Sequence, residues 1–203
     1  MRAVQVSSAM RTLGIVLALL HALAAQAQPL APDALVRQVT ADVLEAVQND
    51  TVLQAGDRKR AIALAEQKVL PHIDFAEATR LAMGTWWKTA TPAQREQLTA
   101  EFRALLVRTY ANAIGAYKGQ TMRVLPMRME AGADDVVVRN QFLRAGAPPL
   151  RIDYAMYRTA AGWKIYDIVA EGVSLVLTYR VEFDQAVRQS GIDGLIQRIA
   201  EKQ

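Results

Sequence analysis

An α+β domain, with an antiparallel sheet carrying helices packed on one face, is the fold class this chain predicts. Apolar residues recur at helical spacing from Val36 to Tyr117, alternate singly between Val136 and Met156, and return to helical spacing from Val176 onward. Helices, then a meander, then helices is the segregated order of an α+β domain. No internal repeat, low-complexity tract or linker interrupts the pattern, so one domain is expected over 28–203.

The first 27 residues stand apart. Arg2 and Arg11 precede the apolar run Leu13 to Leu20, and Ala25-Gln26-Ala27 follows as a small-x-small cleavage site. That is the layout of a secretory signal peptide, and the run is shorter than the ~20 apolar residues a spanning helix needs. Cleavage after Ala27 leaves 176 residues, enough to bury a sizeable core.

Val36, Val39, Val43 and Val47 form one helical face, with Asp33 near the N-cap. A second helix is expected from Asp57 to Leu70, ended by Pro71. Asp74 caps a third, from about Phe75 to Met83, and Gly84 stops it. Thr91-Pro92-Ala93-Gln94 is the clearest helix start: Thr91 accepts from first-turn amides, Pro92 suits the first helical position, and Gln94 completes a capping box. Phe102, Leu105, Leu106, Tyr110, Ala113, Ile114 and Tyr117 line one face of this long helix, which ends near Gly119. In the meander, Val136, Val138, Asn140 and Phe142 share a strand face, as do Leu150, Ile152, Tyr154 and Met156. Arg151, Asp153 and Tyr157 lie on the wet side. Gly146-Ala147-Pro148-Pro149 and Ala160-Ala161-Gly162 read as hairpin connections. The last helix carries Val176, Tyr179, Phe183 and Val187 inward, breaks at Gly191, and resumes with Ile192, Leu195, Ile196 and Ile199.

Composition excludes several chemistries. The chain has no cysteine, so no disulfide, thiol nucleophile or Cys-type metal site is available. Without the signal it carries 22 basic and 20 acidic residues and no like-charge run, which does not describe a nucleic-acid binder. His72 is then the sole histidine, and Ser174 and Ser190 the only serines. Ser174 lacks the second glycine of a nucleophile elbow and reads as a helix N-cap. His72 reads as a helix-end residue, with too few neighbouring ligands for zinc. Asp167 and Glu171 could pair for acid/base work, but an Asp167 bonded to backbone at a strand-to-helix corner explains the residue with fewer assumptions.

Three segments carry a resemblance: Trp163-Lys164-Ile165-Tyr166-Asp167-Ile168-Val169-Ala170-Glu171-Gly172-Val173-Ser174, Thr91-Pro92-Ala93-Gln94-Arg95, and Gly191-Ile192-Asp193-Gly194-Leu195-Ile196. With them the chain resembles the MlaC, or toluene-tolerance, family of periplasmic phospholipid-binding proteins over nearly its whole mature length. The resemblance implies an NTF2-like cavity between helices and sheet that encloses acyl tails, with the headgroup near the mouth. It also implies a non-enzymatic shuttle, expected to be monomeric, between an outer-membrane lipoprotein complex and an inner-membrane ABC transporter with its periplasmic lipid-binding subunit, maintaining outer-membrane lipid asymmetry. Phospholipid is then the ligand, and no other cofactor or metal is expected. The apolar residues expected to line the pocket are Phe75, Leu81, Tyr110, Ile114, Tyr154, Met156, Val173 and Val176. Lys88, Arg95 and Arg151, long cations on polar surfaces, are the expected docking residues. Two other classes stay open at this stage. One is a small hydrolase or isomerase in which His72 and Asp167 converge on a cavity; the other is a periplasmic scaffold with a filled core.

Overall fold

The computed structural model describes residues 30–115, 121–144 and 146–202, with backbone alone over 112–115. The signal segment, the expected helix end near Gly119, and the side chains of Ala113, Ile114 and Tyr117 lie outside the described residues.

Helix α1 spans Pro32–Gln48, with Val36 and Val47 buried. Asp33 is not its cap. Ala31 holds that position without a side-chain bond, Pro32 opens the helix, and Asp33 sits in the first turn, ion-paired to Arg37. A one-turn helix, α2 (Thr51–Gln54), was invisible to periodicity because four residues show no period; Asp50 caps it by accepting from Val52 and Leu53 N–H groups, both at 3.0 Å. Helix α3 covers Arg58–Lys68 under an Asp57 cap. It stops before Leu70, and Pro71 lies inside a 3₁₀ turn, Leu70–His72. Proline fits there because the early positions of a turn need no N–H donor.

Helix α4 (Phe75–Met83) has the expected Asp74 cap and Gly84 stop. Gly84 adopts φ +56°, and a Cβ there would lie 2.9 Å from Arg180 Nε. A 3₁₀ turn over Gly84–Lys88 leads to α5, Pro92–Gly115. The capping box is present: Thr91 N–H donates to Gln94 Oε1 at 3.0 Å, and Gln94 N–H donates to Thr91 Oγ1 at 3.2 Å.

Five antiparallel strands follow in sequence order: β1 (Thr121–Val124), β2 (Asp135–Arg144), β3 (Ala147–Thr159), β4 (Gly162–Ala170) and β5 (Val173–Ser174). The β2–β3 register pairs Val136 with Met156, Val138 with Tyr154, Asn140 with Ile152 and Phe142 with Leu150, which places the two expected faces side by side. Pro148 and Pro149 belong to β3 rather than to the connection, because Ala147 already pairs with Arg144 across a register shift. The β4–β5 hairpin turns on Glu171 and Gly172, at φ +49° and +84°, the two left-handed positions of a type I′ turn. Glu171 tolerates its conformation because both its backbone N–H and its carboxylate bond the Arg151 backbone.

Helix α6 (Leu175–Glu201) begins on a Ser174 cap and is interrupted at Gly191, φ +70°. Its core meets α4 and α5 in a cluster built of helical residues, where Phe102 packs edge-on against Tyr179 (4.9 Å) and Phe183 (5.1 Å). A second cluster joins Val36 of α1 to Val138, Met156, Trp163 and Ile165 of the sheet. A third ties Val47 and Leu53 to Ala61 and Leu64. The interior is therefore divided, where most domains form one contiguous core.

Candidate ligand-binding site

The division of the core defines the site. Pairing in β1 to β4 puts Met122, Val124, Val136, Val138, Asn140, Phe142, Leu150, Ile152, Tyr154, Met156 and Ile168 on one sheet face. Only Val138, Asn140 and Met156 of these are fully buried; the others keep accessible surface although they point inward. Helix α1 lies against β1 and β2, and α4 and α6 approach β4, while α5 packs principally on α3, α4 and α6. Among the described residues the helices thus cover the apolar face incompletely. Tyr154, half-buried on this face, has its hydroxyl pushed up to about 12 by desolvation.

The expected pocket residues divide accordingly. Tyr154 and Met156 share the apolar sheet face. Phe75 and Leu81, on α4, are half-buried, and Val176 is buried in the helical cluster against which Leu81 packs. Tyr110 and Val173, expected inward, are 46 % and 62 % exposed. Val173 sits on the short edge strand, where it pairs with Ala170 and so shares the Ile152 face of the sheet but at its exposed edge, and Tyr110 lies off the buried stripe of α5. Ile114 lies outside the described side chains.

Leu177 and Val181, four residues apart on α6, and Val173 on β5 just before it are exposed apolar side chains that the sequence reading did not pick out. Arg151 stands beside Gly172, with Nη2 3.4 Å from where a Cβ on that glycine would lie. Lys88 is exposed. Arg95 is committed to the fold: Nε donates to Trp87 O at 3.0 Å, and the guanidinium lies over the Trp87 ring at 5.3 Å.

The groups that could do chemistry are occupied structurally. Asp167 accepts from Ser174 Oγ at 2.5 Å and from Val176 N–H at 3.0 Å, and Ser174 caps α6 by accepting from Leu177 N–H. His72 has its pKa lowered by desolvation and then by Lys164, partly offset by Asp42. The sequence reading also missed Arg108 of α5, whose Nε and Nη2 are buried with no hydrogen-bond partner among the described residues, as is Oδ1 of Asn140. The signal was available: Arg108 stands three residues after Leu105 on an otherwise apolar stripe.

An open antiparallel sheet whose apolar face is partly covered by helices, with no catalytic constellation in the described residues, defines a class: an α+β binding protein for an apolar ligand. The profile of the MlaC protein family matches residues 37–201, and the chain belongs to that family. It is 24% identical over 140 residues to the intermembrane phospholipid transport system binding protein MlaC of Haemophilus influenzae, covering 67% of this chain and 65% of that protein. To the toluene tolerance protein ttg2D of Pseudomonas putida it is 24% identical over 106 residues, 52% of this chain and 49% of that one. The matches thus span less than two thirds of either relative's length. A phospholipid-binding protein from Ralstonia solanacearum, solved in complex with a phospholipid, superposes with a TM-score of 0.79 at 36% identity, covering 85% of this chain and 96% of that one.

Proposed function

We propose that this protein is an exported phospholipid-binding shuttle that carries lipid across the periplasm between an outer-membrane lipoprotein complex and an inner-membrane ABC transporter. The observation that carries the reading is the incompletely covered apolar sheet face, in a chain whose fold is that of a protein solved with phospholipid bound. Two acyl chains hold about thirty methylenes, and exposing them to water costs about 24 kcal/mol at ~0.8 kcal/mol each. Free diffusion of a lipid between membranes is prohibitive on that scale. A protein interior as apolar as the bilayer makes the exchange nearly neutral, so direction is left to the partners.

The protein's own part is then to bind, shield and present. No covalent step is required of it, and the structural commitments of Asp167 and Ser174 fit that role. In the described residues no helix is long and apolar enough to cross a membrane. The partners meet the shuttle, in this reading, at Val173, Leu177 and Val181, an apolar patch of the kind that marks interaction sites. Arg151, and Lys88 elsewhere on the surface, steer encounter more than they add affinity. Arg95 contributes by holding the Gly84–Lys88 turn. Solvent extraction of the purified protein, with identification of what co-elutes, tests the function: phospholipid at about one per chain supports it, and an extract free of lipid rejects it.

A further inference from the structure

We infer that Arg108 is the anion anchor of the ligand site and takes the phosphodiester of the bound lipid through Nε and Nη2. On α5, Leu98, Phe102 and Leu105 are buried, Arg108 follows Leu105 by three residues, and Ala111, three further on, is buried again. A guanidinium therefore stands on the inward stripe of the helix. Its backbone carbonyl accepts from Arg58 Nη2 at 3.1 Å, which brings a second cation close. The ion pairs of the described residues leave Arg108 out. Arg103, five residues earlier on the same helix, faces Glu66 at 3.6 Å instead.

Arginine cannot escape burial by losing its proton, and a buried charge without a counter-charge is among the costliest features a fold can carry. An oxyanion with two oxygens on one centre offsets that cost best, because Nε and one Nη form a parallel pair of donors that a phosphodiester's non-bridging oxygens match. A glycerol ester carbonyl presents no charge and only one oxygen. The inference rests on the reading of the site as a phospholipid pocket, and it adds which ligand group is held inside and by which residue.

The test uses the full mature chain and three probes. Purified protein is incubated with vesicles containing equal amounts of dipalmitoylphosphatidylglycerol and dipalmitoylglycerol, repurified, and its lipid quantified; inorganic phosphate is tested separately by its effect on Tm. The parent is expected to take up the phospholipid over the diacylglycerol by about tenfold or more, the worth of charge-assisted hydrogen bonds. Arg108→Met is expected to bring the ratio near unity while total lipid persists, and Arg108→Lys, which keeps the charge and loses the paired donors, to fall between. Should Arg108→Met fail to fold, Arg108→Lys decides, and a ratio equal to the parent's overturns the inference, as it does for Arg108→Met. A rise in parental Tm with inorganic phosphate that Arg108→Met abolishes, with the lipid ratio unaltered, assigns the residue to a free anion and likewise overturns it. Equal uptake of both lipids by the parent overturns the anchor alone, whereas uptake of neither overturns the pocket reading and the anchor with it.

Discussion

Ser174 Oγ donates to Asp167 Oδ2 at 2.5 Å while accepting from Leu177 N–H at 3.0 Å, so one hydroxyl joins the last long strand to the last helix. Asp167 Oδ1 receives Val176 N–H at 3.0 Å, giving α6 a second cap from outside the helix. Ser174→Ala is expected to destabilise the protein by about 1 kcal/mol, the usual worth of an N-cap, and Asp167→Ala by more, since it strips both contacts. Chemical denaturation measures the loss, and co-purified lipid per folded chain should stay at the parental level. Lipid transfer abolished by Ser174→Ala in a protein of unchanged stability would indicate chemistry at this hydroxyl.

Filling the space over the sheet should expel the ligand. Ile152→Trp adds bulk on the half-covered face beside Asn140 and is expected to reduce bound lipid with the far-ultraviolet spectrum preserved. Val173→Trp, at a position 62 % exposed, is expected to leave it unchanged. Equal lipid content in parent and Ile152→Trp would move the site elsewhere.

The exposed apolar pair on α6 separates binding from delivery. Leu177→Asp or Val181→Asp should leave bound lipid unchanged and slow its transfer to partner-bearing membranes, because both side chains face solvent, 57 % and 61 % exposed. Arg151→Glu should slow transfer most at low salt, where steering is least screened. Transfer kinetics at several ionic strengths distinguish the two effects, and parental rates in all three variants would rule out this surface.

His72 makes stability depend on pH in a defined direction. Its pKa is lowered from 6.5 by desolvation first and by Lys164 next, and Lys164 is held in place by donating to Pro71 O at 2.5 Å. A lowered folded value means that the unfolded chain takes up the proton more readily. The contribution of neutral His72 is therefore full above about pH 6.5 and is lost as pH falls through the lower folded value. His72→Gln should flatten the stability profile in that window, as urea midpoints across pH 5 to 8 would reveal; a profile identical to the parent's would show that another group governs it.

Gln94 Nε2 donates to Asp193 Oδ1 at 2.7 Å while its Oε1 closes the capping box with Thr91. Two of the three segments that carried the family resemblance, nearly a hundred residues apart, therefore meet. A double-mutant cycle of Gln94→Ala and Asp193→Ala should give a coupling of about 0.5 kcal/mol or more; strict additivity would mean that the contact contributes nothing in solution.

Local physics made much of this molecule legible in its sequence. The Thr91 capping box, the Asp74 cap with its Gly84 stop, and the alternation that pairs Val138 with Tyr154 are each written within a few residues, because caps and pleats are satisfied by near neighbours. The glycine corner was readable for the same reason. What the tertiary structure alone decided is what those elements leave uncovered. Tyr110 and Val173 obey apolar periodicity yet are exposed, and Arg108 breaks the stripe yet buries its Nε and Nη2. Periodicity reports which side of an element is apolar; the distance at which another layer stops short of that side depends on packing between residues far apart in the chain. The site is such a shortfall, a sheet face that its helices do not fill, and it exists only once they have docked.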